Sequence, residues 1–412
     1  MKPHRNPFHV SPCGVCLLAV TGALAVQCSH LQGTSRGSRA ETAPRKILGL
    51  DTVIAFYSAP AEIKSQTFVR GDNWKDWQAR GGVVSKGITH QKFLSKNVGE
   101  ASDVLVNMDF VDNPHPIVNI DEFGWDYDGG IDRHSAAILN AVHEKRPELK
   151  IAVWQMRGPV APQLAKVYRD TVDLVMLETY YTLDDAWMIA FALQTARLNG
   201  ILDRSVIGLG LGSEAPRLGG WEWTRTAQEL EQQIRLIRYV APESPGVAFF
   251  GSFLEGDRAM RMTRQELDYI CGRFRQFPTD GTGLEPALLE LGKTFTRRYR
   301  KPAVFASSNY VLPFFHSGHD GAAWGQVHEP QVARTLLMNL GETDARGVEV
   351  RLLHAKESVW AEGSVDIPAR TVVVAELPMS KGFLGWGGTG TLEIDAPGCE
   401  VFFFLNSRYH GN

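Results

Sequence analysis

This 412-residue chain has few cysteines and no long apolar run outside its start. Three of its five cysteines lie within the first 28 residues. Disulfide bonds therefore do not hold this chain together as they hold small secreted domains, although one bridge between Cys271 and Cys399 stays open. After residue 30 no stretch of about 20 apolar residues occurs, which excludes a membrane-spanning helix in that part of the sequence.

Neither positive nor negative charges are in large excess. Lys and Arg total 43 and Asp and Glu total 46, and the two signs are intermixed along the chain. This balance does not favour nucleic acid or an anionic membrane surface as a partner. No spacing of Cys and His is typical of a zinc site, and neither a metal nor an organic cofactor is expected. Aromatic residues are plentiful, with 10 Trp, 10 Tyr and 20 Phe, and their flat faces suit the core and sugar rings alike.

The start of the chain has the composition of an export signal. Basic residues precede an apolar run that ends in small residues. This pattern predicts an export signal over residues 1–30, followed by a flexible Gly/Ser/Arg leader over residues 31–45. Cleavage after Ala25 is expected, and a lipid anchor at Cys28 is the alternative. The protein is therefore predicted to be secreted or periplasmic.

Residues 46–298 alternate between short apolar runs and amphipathic stretches, which predicts a parallel sheet with crossover helices. The candidate strands begin at Leu50, Gly81, Asp103, Pro116, Lys150, Asp173, Ser205 and Gly246. Eight strands are typical of a TIM-like (β/α)8 barrel, and this is the predicted fold. The third and fourth runs are separated by too few residues for a parallel crossover, so one of the two need not be a barrel strand.

Helices are predicted over residues 132–145, 161–171, 186–199 and 226–240, with Asp132 and Thr226 as N-caps. From about Lys301 the helical periodicity stops and alternating β-rich runs appear. Residues 299–412 are therefore predicted to form a small antiparallel β-sandwich domain. This domain either binds polysaccharide or packs against the barrel and covers part of its surface.

Acidic residues follow two of the predicted inner strands. Barrel enzymes carry their active sites at the carboxyl ends of the strands. In PIVNIDEFGWDYDGG, Asn119, Asp121 and Glu122 come after a buried apolar stretch. Burying neighbouring carboxylates is costly unless they are paired, protonated or used, and a salt bridge to an Arg on the next helix is the structural alternative. If the strand is regular, only one of Asp121 and Glu122 faces the interior.

The run VDLVMLETYY repeats this pattern with one carboxylate, Glu178, and with Tyr180 on the same face. Its strand lies two positions around the wall from Asp121 and Glu122, so these acids can face each other across a gap the size of a sugar. Glycoside hydrolysis needs one carboxylic acid to protonate the departing oxygen and one carboxylate to attack or to activate water. A satisfied structural acid is the alternative for Glu178.

Further side chains are candidates for contact with the substrate. They are Asn119, Trp125, Asp126, Trp154, Gln155, Tyr180 and Tyr57. Gln155 suits a hydrogen bond to a sugar hydroxyl or to a catalytic acid, whereas Trp154 is equally well a core residue.

The IDEFG of residues 120–124 and the DLVMLETYY of residues 173–181 resemble motifs of exported barrel glycosidases of the spherulin-4-like and endo-galactosaminidase families. Those families pair an Asp-Glu dipeptide at one strand end with a Glu two strands later. The resemblance implies functional roles for Asp121, Glu122 and Glu178. The strand between them reads AVWQM, where those families tend toward Asn-Pro-Gly, which puts an amino-sugar substrate in doubt. A chitinase-like barrel is also similar, but its Asp-x-Asp-x-Glu signature is missing.

The leading hypothesis is a secreted glycosidase that acts on a polysaccharide or glycan. Glu122 is its general acid/base, Glu178 is the opposing carboxylate, and Asp121 modulates Glu122; the roles of acid and nucleophile can be reversed. One alternative is a non-catalytic carbohydrate-binding barrel protein. The other is a metal-assisted hydrolase that uses Asp121, Asp126 and Asp128.

Overall fold

A computed structural model of the chain describes the barrel and the C-terminal sheets. The described residues are 46–56, 68–70, 79, 82–92, 96–110, 116–123, 129–155, 159–180, 183, 186–211, 226–250, 262–296, 332–354, 359–378, 390–395 and 401–405. The predicted export signal and leader lie outside these ranges, and so do Tyr57, Trp125, Asp126 and Cys399.

Eight parallel strands close into a barrel. They are β1 (Val53–Phe56), β2 (Phe68–Arg70), β3 (Val83–Thr89), β4 (Ile117–Phe123), β5 (Lys150–Gln155), β6 (Leu174–Glu178), β7 (Ser205–Gly210) and β8 (Gly246–Phe250). Each strand pairs in parallel with the next in sequence, and β8 returns to pair with β1. The predicted TIM-like α/β barrel is therefore confirmed.

Seven α-helices connect or follow these strands in the described ranges. They are α1 (Val98–Val106), α2 (Gly129–Lys145), α3 (Pro162–Thr171), α4 (Trp187–Leu198), α5 (Ala227–Val240), α6 (Arg264–Gly272) and α7 (Pro286–Thr296). The predicted cap at Thr226 is confirmed, because Thr226 and Glu229 form a reciprocal capping box at the start of α5. The predicted cap at Asp132 is wrong, since α2 begins at Gly129 and Asp132 lies inside the helix.

The run that begins at Asp103 is not a strand, because its first four residues are helical and the rest has no regular secondary structure. These four residues form the end of α1, whose N-cap Asn97 accepts a hydrogen bond from the N–H of Glu100 at 2.9 Å. Ala101 and Leu105, four residues apart, are buried on one face of this helix. The strand that completes the barrel is β2, which was not predicted.

Strand alternation divides the apolar side chains of the barrel wall into two sets. The set inside the barrel includes Val53, Ala55, Ile117, Ala152, Trp154, Leu174, Met176, Val206 and Ala248. Side chains of the other parity, among them Ile120 and Val153, pack in the larger core together with residues of the helices. A strand side chain that alternates in step with the first set therefore points into the barrel, and one that alternates in step with the second set points toward the helices.

The barrel closes at a very tight contact between β1 and β8. Gly246 pairs with Val53, and a β-carbon at position 246 would lie 1.7 Å from the carbonyl oxygen of Val53. No side chain fits there without moving the backbone. Closure of the barrel at this point therefore depends on glycine.

The C-terminal part contains two antiparallel sheets of three strands each. Their strands are β9 (Val332–Asn339), β10 (Ala345–His354), β11 (Val359–Ile367), β12 (Thr371–Pro378), β13 (Gly390–Asp395) and β14 (Val401–Leu405). The strand orders are β11-β10-β13 and β12-β9-β14. Leu336, Met338 and Val372 of the second sheet belong to the same apolar core as the outer layer of the barrel. This sheet therefore packs against the barrel.

Two further observations concern the helices and the cysteines. No helix in the described part of the chain combines the length and the apolar character needed to cross a bilayer. Cys271 in α6 is a free, buried thiol, so it does not form the bridge to Cys399 that the sequence left open. Burial raises the pKa of the Cys271 thiol well above its usual value.

Candidate functional site

A β-bulge lies at the carboxyl end of β4. Ile120 pairs with Val153 of β5, but the next pair joins Phe123 to Gln155. Asp121 and Glu122 of β4 therefore both lie opposite one residue of β5, Trp154. Two residues against one is the definition of a bulge, and bulges are frequent beside active sites.

The bulge reverses the alternation of β4. In a regular strand Phe123 would face the barrel interior with Asn119 and Asp121. Instead Phe123 is fully buried in the outer core, with its ring centroid 6.2 Å from that of Tyr168 in α3. The bulge therefore inserts Glu122 between the inward-facing Asp121 and the outward-facing Phe123.

Glu122 has an uncommon backbone conformation, with φ at 53°. A left-handed conformation costs a residue other than glycine about 1–2 kcal/mol. The carboxylate of Asp121 accepts a hydrogen bond from the N–H of Glu122, at 3.1 Å. Asp121 is only 7% exposed, whereas Glu122 is half-buried. Strain of this kind persists only where the surrounding structure maintains it, and it clusters at functional sites.

Glu178 is the last residue of β6, and it is half-buried. It shares parity with Leu174 and Met176, which are inside the barrel. Its partner across the β6–β7 pair is Gly208, where a β-carbon would lie 3.2 Å from the carbonyl oxygen of Leu177. Only β5 separates β4 from β6, so the backbones that carry Glu122 and Glu178 are about 10 Å apart at about 4.8 Å per strand.

An aromatic cluster lies inside the barrel beside these acids. The rings of Tyr180 and Phe250 stack with centroids 5.0 Å apart and an interplanar angle of 24°. Trp154 meets Phe250 edge-on, with centroids 6.3 Å apart. Tyr180 and Phe250 are half-buried, but Trp154 has no exposed surface. Tyr180 and Phe250 are therefore available to a ligand, while Trp154 occupies the core position considered as its alternative.

Asn119 faces the barrel interior from β4, one inward position before Asp121. Its side chain is fully buried, and neither its amide nitrogen nor its oxygen has a hydrogen-bond partner among the described residues. An unmet buried amide costs about 1–3 kcal/mol. Like Trp154, Asn119 has no exposed surface in this structure, so its predicted contact with a substrate stays a prediction.

Gln155 was predicted to bond a sugar hydroxyl or a catalytic acid, and the structure shows a hydrogen bond to Tyr168. Gln155 has the parity of Val153 and lies toward the helices. The hydroxyl of Tyr168 in α3 donates a hydrogen bond to its Oε1 at 2.5 Å. The buried amide of Gln155 therefore joins the barrel wall to α3.

His90 lies beside the bulge of β4, because Thr89, the last residue of β3, pairs with Asp121. It follows β3 directly and is fully buried. Its ring centroid lies 4.7 Å from that of Phe123. Burial lowers the pKa of His90 to about 4, and the nearby His134 contributes in the same direction.

The metal-assisted alternative depends on Asp126 and Asp128, which lie outside the described residues. Within the described part of the chain, no three side chains of His, Cys, Asp or Glu are grouped in a way that could hold a metal ion. The predicted contacts of Tyr57 and Trp125 likewise fall outside this part.

Comparison with known proteins gives only distant likenesses. No family model matches the chain, and no curated protein matches it. It is similar to the catalytic domain of a hyperthermophilic chitinase from Pyrococcus furiosus, with 11% identity and a TM-score of 0.39 over 57% of this chain and 97% of that one. A glycoside hydrolase family 5 structure from Bacteroides vulgatus has 10% identity and a TM-score of 0.33, with 84% and 89% covered. These values are too low to bear on the chemistry of the site.

Proposed function

We propose that this protein is a glycoside hydrolase that cleaves a polysaccharide or glycan with two carboxylates, Glu122 and Glu178. The observation that carries the proposal is the bulge at the end of β4. It holds a half-buried glutamate at φ 53°, next to a nearly buried aspartate, at the end of a barrel where such enzymes work. A strained acidic pair has no evident benefit for stability and suits a chemical role.

The two acids have complementary tasks in the proposed reaction. Glu122 protonates the departing glycosidic oxygen, and Glu178 attacks the anomeric carbon or activates a water molecule. Backbones about 10 Å apart leave room for side chains that reach toward each other, as both the retaining and the inverting geometry require. Asp121, hydrogen-bonded to the N–H of Glu122, modulates the acid. The opposite assignment of acid and nucleophile satisfies the same geometry.

The aromatic and amide groups beside the acids form the proposed sugar-binding surface. Tyr180 and Phe250 offer stacked, half-buried rings, and aromatic faces pack well on the apolar faces of sugar rings. Asn119 supplies an amide for a hydroxyl group. Trp125, Asp126 and Tyr57 complete this surface in the proposal. Trp154 packs edge-on against the ring of Phe250.

The proposed site of action is outside the cytoplasm. Residues 1–30 act as an export signal, with a lipid anchor at Cys28 as the alternative to cleavage after Ala25. Residues 46–298 form the catalytic barrel, and residues 299–412 form a domain that covers part of it. Mass spectrometry of the mature N-terminus distinguishes cleavage after Ala25 from lipidation.

A screen of the mature protein against a panel of polysaccharides, with products identified by mass spectrometry, tests the function. Glu122→Gln and Glu178→Gln are expected to lower the rate on the substrate found by about 10²–10⁴-fold. The control is Glu362→Gln, which changes an exposed glutamate of β11 and should leave the rate unchanged. Wild-type rates in both site variants would show that the site is wrong. Glycan binding without any product would instead indicate a non-catalytic carbohydrate-binding protein.

A further inference from the structure

The bulge of β4 decides on which side of the strand Phe123 lies. Asn119 and Asp121 face the barrel interior, and in a regular strand residue 123 would follow them at the end of the barrel that carries the acids. The register shift instead pairs Phe123 with Gln155, and Phe123 belongs to the outer core. The bulge therefore places this ring among apolar side chains.

Phe123 is fully enclosed in this outer position. Its side chain has no exposed surface and lies close to two other rings. The ring centroid of His90, which follows β3, is 4.7 Å away, and that of Tyr168 in α3 is 6.2 Å away. Contacts with the end of a neighbouring strand and with an overlying helix therefore hold the ring on this side of β4.

The burial of Phe123 offsets the strain at Glu122. A buried phenylalanine is among the residues whose removal from a core destabilises a protein most. One left-handed residue costs less than this burial contributes. A regular β4 would relieve the strain at φ 53° but would take the ring out of the core, so the bulged register is favoured.

We infer that Phe123 is a positioning residue, whose ring, buried in the outer core, holds β4 in its bulged register and Glu122 in its left-handed conformation. The consequence for catalysis rests on the proposed function of Glu122. The conformational consequence stands without it, because φ at residue 122 can be measured whether or not the protein hydrolyses a glycan.

Two substitutions of Phe123 and one matched control test this inference. Phe123→Ala removes the ring, whereas Phe123→Leu keeps a large apolar side chain in the core. Phe274→Ala removes a similarly buried ring at the opposite end of the barrel, where Phe274 packs on Arg275. Arg275 donates to backbone carbonyls shortly before the starts of β1 and β8. Crystal structures report φ at residue 122, and kinetics on the substrate found by screening report kcat and KM separately.

In Phe123→Ala, residue 122 should leave the left-handed region and kcat should fall by about 10²-fold with little change in KM. Phe123→Leu should keep the conformation and most of kcat. Phe274→Ala should lower the melting temperature but leave φ at residue 122 and kcat unchanged. An unchanged φ in Phe123→Ala overturns the inference. A leucine variant no better than the alanine variant, or a changed φ in the control, does the same.

Deletion of Glu122 gives a second test, which decides if Phe123→Ala does not fold. Without this residue, Asp121 can pair with Trp154 and Phe123 with Gln155 in a regular register, and the ring stays on the same side of β4. Because the buried ring stabilises this register, the deletion variant should fold with Phe123 in the outer core and without activity. A variant that does not fold, or whose ring leaves the core, overturns the inference.

If no glycan is hydrolysed by the wild-type protein, the proposed function fails. The crystallographic results still decide the role of Phe123, so the two failures are distinguishable.

Discussion

The carboxylate of Asp121 accepts a hydrogen bond from the backbone N–H of its neighbour Glu122, with 3.1 Å between Oδ1 and the nitrogen. This bond lies at the bulge, where the ladder between β4 and β5 is interrupted. The two acids are thus linked structurally, and each substitution in the pair is expected to affect the conformation of the bulge as well as its charge.

Replacement of Asp121 separates its acceptor role from its charge. Asp121→Asn keeps a side-chain oxygen that can accept from Glu122, whereas Asp121→Leu leaves that N–H unsatisfied. The leucine variant is expected to lower the free energy of unfolding by about 1–3 kcal/mol relative to the asparagine variant. Urea denaturation measures this difference. Equal stability of the two variants would show that the bond does not support the bulge.

Glycine at position 122 should relieve the strain at φ 53°. Glu122→Gly is expected to be about 1 kcal/mol more stable than Glu122→Ala, because only glycine adopts this conformation without steric cost. Both variants lack the carboxylate and should be equally inactive. The two variants should therefore differ in stability but not in activity. Urea denaturation and the glycan assay together measure both effects. A more stable alanine variant would argue against strain at this position.

The depressed pKa of His90 predicts a dependence of stability on pH. Burial is its main cause, and the unfolded chain binds the proton near the ordinary value of 6.5 while the folded chain binds it near 4. Stability from this group is therefore fully present above about pH 6.5 and is lost as pH falls to about 4, by about 3 kcal/mol in total.

His90→Gln provides the comparison for this prediction. Other titrating groups contribute to both proteins, so the difference in free energy of unfolding between wild type and variant isolates His90. Urea denaturation at several values between pH 4 and pH 7 should show this difference shrinking as the pH falls. A difference that does not change with pH would contradict the lowered pKa.

Gly246→Ala should strongly destabilise the barrel. The new β-carbon would lie 1.7 Å from the Val53 carbonyl oxygen, which only movement of β1 or β8 can relieve. We expect a loss of about 3 kcal/mol or more, at the upper end for overpacking. Gly99→Ala in α1 is the control, because its β-carbon would meet only the Asn97 side chain, at 3.3 Å. Thermal unfolding compares the two, and similar values would show that β1 and β8 yield easily.

Much of the fold could be predicted from the sequence because its signals are local. Apolar runs such as KIAVWQM became barrel strands, and the Thr226 cap and the antiparallel C-terminal strands depend on residues near one another in the chain. Local patterns failed where they were ambiguous or short. The run from Asp103 fits a helix once Asn97 caps it, and the three residues of β2 are too few to show a period.

The residue types of the candidate site were also evident from the sequence, since acids after buried strands are unusual in ordinary packing. Their arrangement was not. The direction in which Phe123 points depends on the register between β4 and β5, because a bulge of one residue reverses the alternation of β4. The sequence by itself determined which acids follow the barrel strands. Only the tertiary structure decided that the ring of His90 packs against Phe123, because that contact joins neighbouring strands more than thirty residues apart in the chain.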